Sequence, residues 1–155
     1  GKKIYFHIIG DGQELDNLKK YAHDNGIQNV IFHGRKPSEE MPRYYTFADA
    51  MIVTLTANPL VSLTLPAKVQ SYMAAGKPIL ASANGEIANV IKESGAGFCA
   101  HADDDSEFVD IVKLFLNNEE RYNMGKNARK YYVNNFSKEI VMDKLEKILI
   151  KEAIY

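Results

Sequence analysis

Five short apolar runs, each stopped by glycine, proline or a small polar residue, alternate along this chain with segments of helical spacing. Ile4–Ile9 closes in Gly10-Asp-Gly12, Asn29–His33 closes in Gly34, and Ala50–Leu55, Pro78–Ser82 and Gly97–Ala100 follow. Runs this short and this continuously apolar read as strands buried on both faces. Between them, Gln13–Asp24 repeats apolar residues at helical spacing and meets Gly26 where a C-terminal cap belongs. Pro37-Ser38 opens a short helix with Ser38 as its N-cap and Glu39 and Glu40 in the first turn, where Pro42 is tolerated. Pro66–Ala75, capped by Gly76, and Ile87–Glu93 are further helices. Three more close the chain near Asp105–Leu116, Glu119–Asn134 and Lys138–Glu152. Strand and helix in alternation predict an α/β fold, a Rossmann-like parallel sheet with helices on both faces.

Bulk properties exclude several classes. The chain has 155 residues, enough for one domain with its own core, and a formal net charge of −1 gives no global field toward nucleic acid or anionic membrane. A single cysteine, Cys99, makes no internal disulfide and fits a reducing, cytoplasmic compartment. No apolar run reaches the roughly 20 residues a membrane span needs. The N-terminus leads directly into a strand, so no signal peptide is expected. From Met51 to Gly85 there is neither Asp nor Glu, so no carboxylate pair or metal cage can be built from that region. No His/Cys spacing suits zinc, and Ser62 lacks the elbow glycines of a serine hydrolase.

Ligands of open parallel sheets sit at the carboxyl ends of the strands. Three loops converge there by fold rules: Gly10–Gly12, Gly34–Pro37 and Asn58–Pro66. Gly10 and Gly12 suit a phosphate turn or a plain strand-to-helix turn. His33-Gly34-Arg35-Lys36 suits a nucleobase ledge with a cation reaching phosphate, or a solvated basic turn with His33 as a hydrogen-bonded strand-end residue. The stretch with Ser62 and Thr64 precedes a helix start, whose unpaired N–H groups and dipole favour an anion. Lys68 in that first turn opposes the dipole, which argues for a negatively charged partner, the alternative being simple exposure. The last helix, with Ile140, Val141, Leu145, Ile148 and Leu149 beside four lysines, is expected to pack on this domain or a neighbouring one, with a membrane-surface role as the alternative.

The order Ile-Ile-Gly-Asp-Gly-Gln-Glu14, Val-Ile-Phe-His-Gly34, Ala-Asp-Ala-Met-Ile-Val53, Leu-Pro66 and Met-Ala-Ala-Gly-Lys-Pro-Ile79 resembles the C-terminal half of a GT-B glycosyltransferase. Within that class it is similar to glycosyltransferase family 4, in the form found in bacterial surface-polysaccharide assembly. The resemblance implies a nucleotide-sugar-binding Rossmann-like domain over 1–136, with 137–155 a helix packing on it or on an absent N-terminal, acceptor-binding lobe. It implies that Gly10 and Gly12 line the diphosphate cleft and that His33, Gly34, Arg35 and Lys36 hold the base. The Thr64 and Leu65 amides, with Ser62 and Lys68, would bind the diphosphate. Sugar transfer with retained configuration is implied, without metal or other cofactor. The partners would be a UDP-, GDP- or ADP-linked sugar and an acceptor that can be lipid-linked, with the full-length protein cytoplasmic or peripheral at the inner membrane face.

Two departures stand out. The family's pair of glutamates is absent: counting back from Gly76 puts the ribose position at Ser71, and counting forward from Leu65-Pro66 puts it at Val69, so Ser71 or Gln70 would serve instead. The family's first strand and helix precede this chain's start. The chain therefore reads as a fragment, inactive alone, whose sheet has a gap or two unpaired edges that reordering of the sheet or a second copy could fill. A nucleotide-binding module acting with a separate acceptor-binding protein is the alternative. A related GT-B sugar-nucleotide epimerase is disfavoured by the acid-free stretch.

Overall fold

A computed structural model of the chain describes residues 3–153. The chain forms two compact units, one up to Tyr44 and one from Tyr45 onward. All five expected strands are present, all pairs are parallel, and, in line with the gap expected in the sheet, they form two ladders: β1 (Phe6–Ile9) with β2 (Val30–Gly34), and β3 (Met51–Thr54), β4 (Ile79–Ser82) and β5 (Gly97–Ala100) in the order β3-β4-β5. The α/β class with helices packed on both sides of a parallel sheet therefore holds, with the strand ladder divided.

In the first unit, α1 (Leu15–Asp24) links β1 to β2 and ends at Asn25 and Gly26, the glycine at φ +63°. The expected cap at Ser38 is not formed. Pro37 is the N-cap of a short 3-10 turn, Ser38–Glu40, and Ser38 donates to the Glu39 carboxylate at 3.1 Å. Helix α2 (Met41–Phe47) continues from that turn.

The second unit is organised by β4, whose four residues are all buried. Its alternation splits the core in two. Ile79 and Ala81 join Val53 of β3, Val69 and Met73 of α4 (Ala67–Ala74), Ile87, Val90 and Ile91 of α5 (Glu86–Ser94), and Ala128 of α7 (Arg121–Asn135). Leu80 faces the other way, toward Ile111 and Phe115 of α6 (Asp105–Asn117). Helices thus cover both faces. Gly97 is required by contact: a Cβ there would overlap the carbonyl of Ile79 on the neighbouring strand. Helix α8 (Lys138–Ala153) is the outlier. Val141, Met142, Leu145, Ile148, Leu149 and Ile150 on it are all about half exposed, so its apolar side is not buried on this unit. Among the described residues no helix is long and apolar enough to cross a membrane.

Candidate functional site

The predicted residues fall into one cluster in each unit. In the first, the parallel register of β1 and β2 brings both carboxyl ends together, and the Gly10 amide donates to the Gly34 carbonyl at 2.9 Å. Gly10 (φ +148°) and Gly34 (φ +66°) both hold backbone conformations that side chains disfavour. Gly12 lies exposed at the start of the turn into α1, its carbonyl accepting from Leu15. Arg35 approaches Asp11 at 3.9 Å, a loose pair at an exposed site that adds little stability and leaves most guanidinium donors open. Lys36 is half-buried beside it.

His33 has a different assignment. Its Nε2 is 2.8 Å from Nδ1 of His7, the two rings stack with centroids 5.1 Å apart, and Tyr44 meets His33 edge-on at 5.5 Å. The imidazole is thus committed to its neighbours, which agrees with the strand-end reading. Any contact with a base from this position falls to the backbone. His7 was not anticipated. The signal lay in the register: Ile31 pairs with His7, so His33, two residues on, shares its face.

In the second unit, residues 55–66 connect β3 to α4. They contain a short helix that sequence spacing did not suggest, α3 (Pro59–Ser62), with Pro59 in its first turn and Asn58 as N-cap, whose side chain accepts from the Leu60 amide at 2.9 Å. The hydroxyl protons point inward: Ser62 to the Asn58 carbonyl at 3.0 Å, Thr64 to Val61 at 2.9 Å, and Ser71 to Ala67 at 3.1 Å. The Thr64 amide is also spent, on the Val61 carbonyl at 3.1 Å. Among the described residues, the amides without a backbone acceptor at the start of α4 are those of Leu65, just before the helix, and of Ala67 and Lys68 in its first turn. Lys68 is exposed and, among the described residues, in no ion pair. Behind the helix start, burial raises the Tyr72 phenol above its ordinary value, with Tyr45 packed edge-on against it at 5.5 Å. Among the described residues no three His, Cys, Asp or Glu side chains converge as metal ligands.

Residues 1–131 match the model of the family described as glycosyl transferases group 1. The chain belongs to that family. A probable glycosyltransferase of Pseudomonas aeruginosa, WbjE, is 31% identical over 149 residues, 92% of this chain and 36% of that protein. Spore coat protein SA of Bacillus subtilis is 29% identical over 88% of this chain and 36% of its own length. A GDP-mannose-dependent mannosyltransferase of Mycobacterium tuberculosis, acting on phosphatidylinositol monomannoside, is 25% identical over 92% of this chain and 38% of that protein. The chain thus spans little more than a third of the curated relatives it matches. Among solved structures, Anabaena HepE in complex with UDP aligns over 96% of this chain and 41% of its own, with a TM-score of 0.82 and 18% identity. Staphylococcus aureus TarM, solved with UDP bound, aligns over 92% of this chain and 28% of its own, with a TM-score of 0.73 and 18% identity. At such identities the likeness establishes the fold, the Rossmann-like arrangement of GT-B glycosyltransferases.

Proposed function

We propose that the chain is the donor-binding part of a retaining glycosyltransferase of family 4, the C-terminal lobe that holds a nucleotide-sugar while a further lobe holds the acceptor. The observation that carries this reading is the family match over residues 1–131. It is supported by the two clusters at strand carboxyl ends, one rich in glycine and cations and one ending in a helix start with open amides. By the family resemblance, the first unit's Gly34–Lys36 segment is assigned to the base, chiefly through backbone groups. Independently, the second unit's Leu65, Ala67 and Lys68 amides and the Lys68 ammonium are assigned to the diphosphate. In transfer, the bond from the sugar to the diphosphate breaks, and negative charge develops on the departing oxygen. Fixed N–H dipoles and cations stabilise that charge without reorganisation, which makes a resident metal unnecessary in this proposal. The relatives in cell-surface polymer synthesis support a polysaccharide or glycolipid acceptor, and the half-exposed apolar side of α8 supports contact with the acceptor lobe.

The test is an assigned NMR titration of the chain with UDP, GDP and ADP. Saturable shifts at Gly10–Gly12, Gly34–Lys36 and Leu65–Lys68 for one nucleotide are the expected result and name the base. A well-dispersed spectrum unmoved by all three, in this chain and in a longer one carrying the acceptor lobe, would overturn the assignment.

A further inference from the structure

At the opposite end of the second sheet, where β4 begins, lies an open cavity of about 650 Å³ between the turn Gly76-Lys77-Pro78 and one face of α7. It is distinct from the residues after β3, up to the start of α4, that form this unit's part of the candidate donor site. Its walls carry five cations, Lys77, Arg121, Lys126, Arg129 and Lys130, against one carboxylate, Asp49. Among the described residues none of the five is ion-paired. Helix α7 has no Asp or Glu in its fifteen residues. A merely solvated helix face intersperses both signs. Here Lys126 and Lys130 stand one turn apart, a like-charge pair that destabilises the helix. We propose that this cavity is an accessory site for a phosphate-bearing anion, separate from the nucleotide-sugar site.

The construction of the cavity supports that chemistry. A Cβ on Gly125 would overlap the Gly76 carbonyl, so α7 lies directly on the turn before β4 and its cations overhang that turn. Lys77 is pinned at the floor, donating to the carbonyls of Thr46 at 3.0 Å and Ala48 at 2.9 Å. Arg129 is held by one nitrogen on the Ala74 carbonyl at 2.6 Å, with its guanidinium 5.6 Å from the Tyr132 ring, and Arg121 is held by the Leu116 carbonyl at 3.2 Å. Each guanidinium has further N–H groups in a planar fork suited to phosphate oxygens. Holding them in place in advance lowers the ordering cost of binding. Lys126 lies over the Tyr122 ring at 4.7 Å, and that exposed ring forms the apolar rim.

The experiment uses the 155-residue chain, with inorganic pyrophosphate as one probe and phosphatidylglycerol vesicles as the other, each against a double variant Lys126→Gln, Lys130→Gln. Pyrophosphate is expected to bind saturably, with NMR shifts at Gly125, Lys126, Arg129 and Lys130. In the double variant affinity falls at least about tenfold, the loss of one charge-assisted contact or more. The variant stays folded with a melting temperature close to the parent's, because the repulsive pair removed offsets the lost Lys126 contact with the Tyr122 ring. Vesicle binding lost in the same variant assigns the phosphate to a lipid headgroup, and pyrophosphate binding alone assigns it to a soluble ligand. Either result supports the shared chemistry. If neither probe binds, or if the variant binds both as the parent does, the proposal fails. UDP shifts at Gly34–Lys36 that persist in the double variant keep this outcome separate from the donor-site reading.

Discussion

Gly85 lies against the backbone of Ser62 so closely that a Cβ built on it would overlap the Ser62 carbonyl, while its own φ is +69°. The start of α5 and the loop leading to α4 are therefore packed backbone to backbone, and only glycine fits.

Gly85→Ala is expected to push residues 58–66 away from α5 and to cost about 1–3 kcal/mol from strain and overpacking together. Denaturant unfolding would show the loss. On the proposed donor site, nucleotide affinity falls with it.

Thr64→Trp addresses the same loop without touching the core. Thr64 is exposed, so melting should shift little, while the bulky ring blocks the start of α4 and nucleotide affinity drops. Unchanged affinity by calorimetry would place the diphosphate elsewhere.

Cys99 is half-buried, and burial pushes its thiol above the ordinary value, with the nearby Glu107 carboxylate adding to the effect; its Sγ is 3.3 Å from the Ala83 carbonyl. The thiolate is the reactive form. Reaction with a disulfide reagent at neutral pH should be slow in the folded chain and fast after unfolding. Fast reaction of the folded chain would contradict the burial.

His101 and Glu107 form an exposed pair, with Nδ1 2.7 Å from the carboxylate. The hydrogen bond to Glu107 raises the His101 pKa above 6.5, and the His101 amide and ring lower that of Glu107 below 4.5. A raised histidine stabilises fully below 6.5 and loses its effect as pH rises through its folded value. A lowered carboxylate stabilises fully above 4.5 and loses its effect as pH falls through its folded value. Both contributions are complete only between those limits. In an NMR titration the His101 midpoint should fall in Glu107→Gln.

Cutting across these positions is a division between local and non-local information. Strand β4 was legible because Pro-Ile-Leu-Ala-Ser is short, apolar and bounded by a glycine turn. Helix α4 was legible from Pro66 at its start and Gly76 at its end, which settle φ locally. Helix α3 was not, since four residues show no periodicity and only the Asn58 cap marks them. At Ser38 the local rule gave the wrong cap because Pro37 already fixes the entry and the hydroxyl finds Glu39 instead.

The sequence by itself determined the alternation of strands and helices, the positions of the turns, and the resemblance to the donor-binding half of a glycosyltransferase, because these depend on near neighbours and on motif order. Tertiary structure alone decided that His33 turns its imidazole to His7 and that the hydroxyls of Ser62 and Thr64 face their own backbone. It also decided that Lys77 and the cations of α7, some fifty residues apart along the chain, share one cavity. Those outcomes depend on register and on helix-to-turn approach, which in turn depend on contacts between residues far apart in sequence.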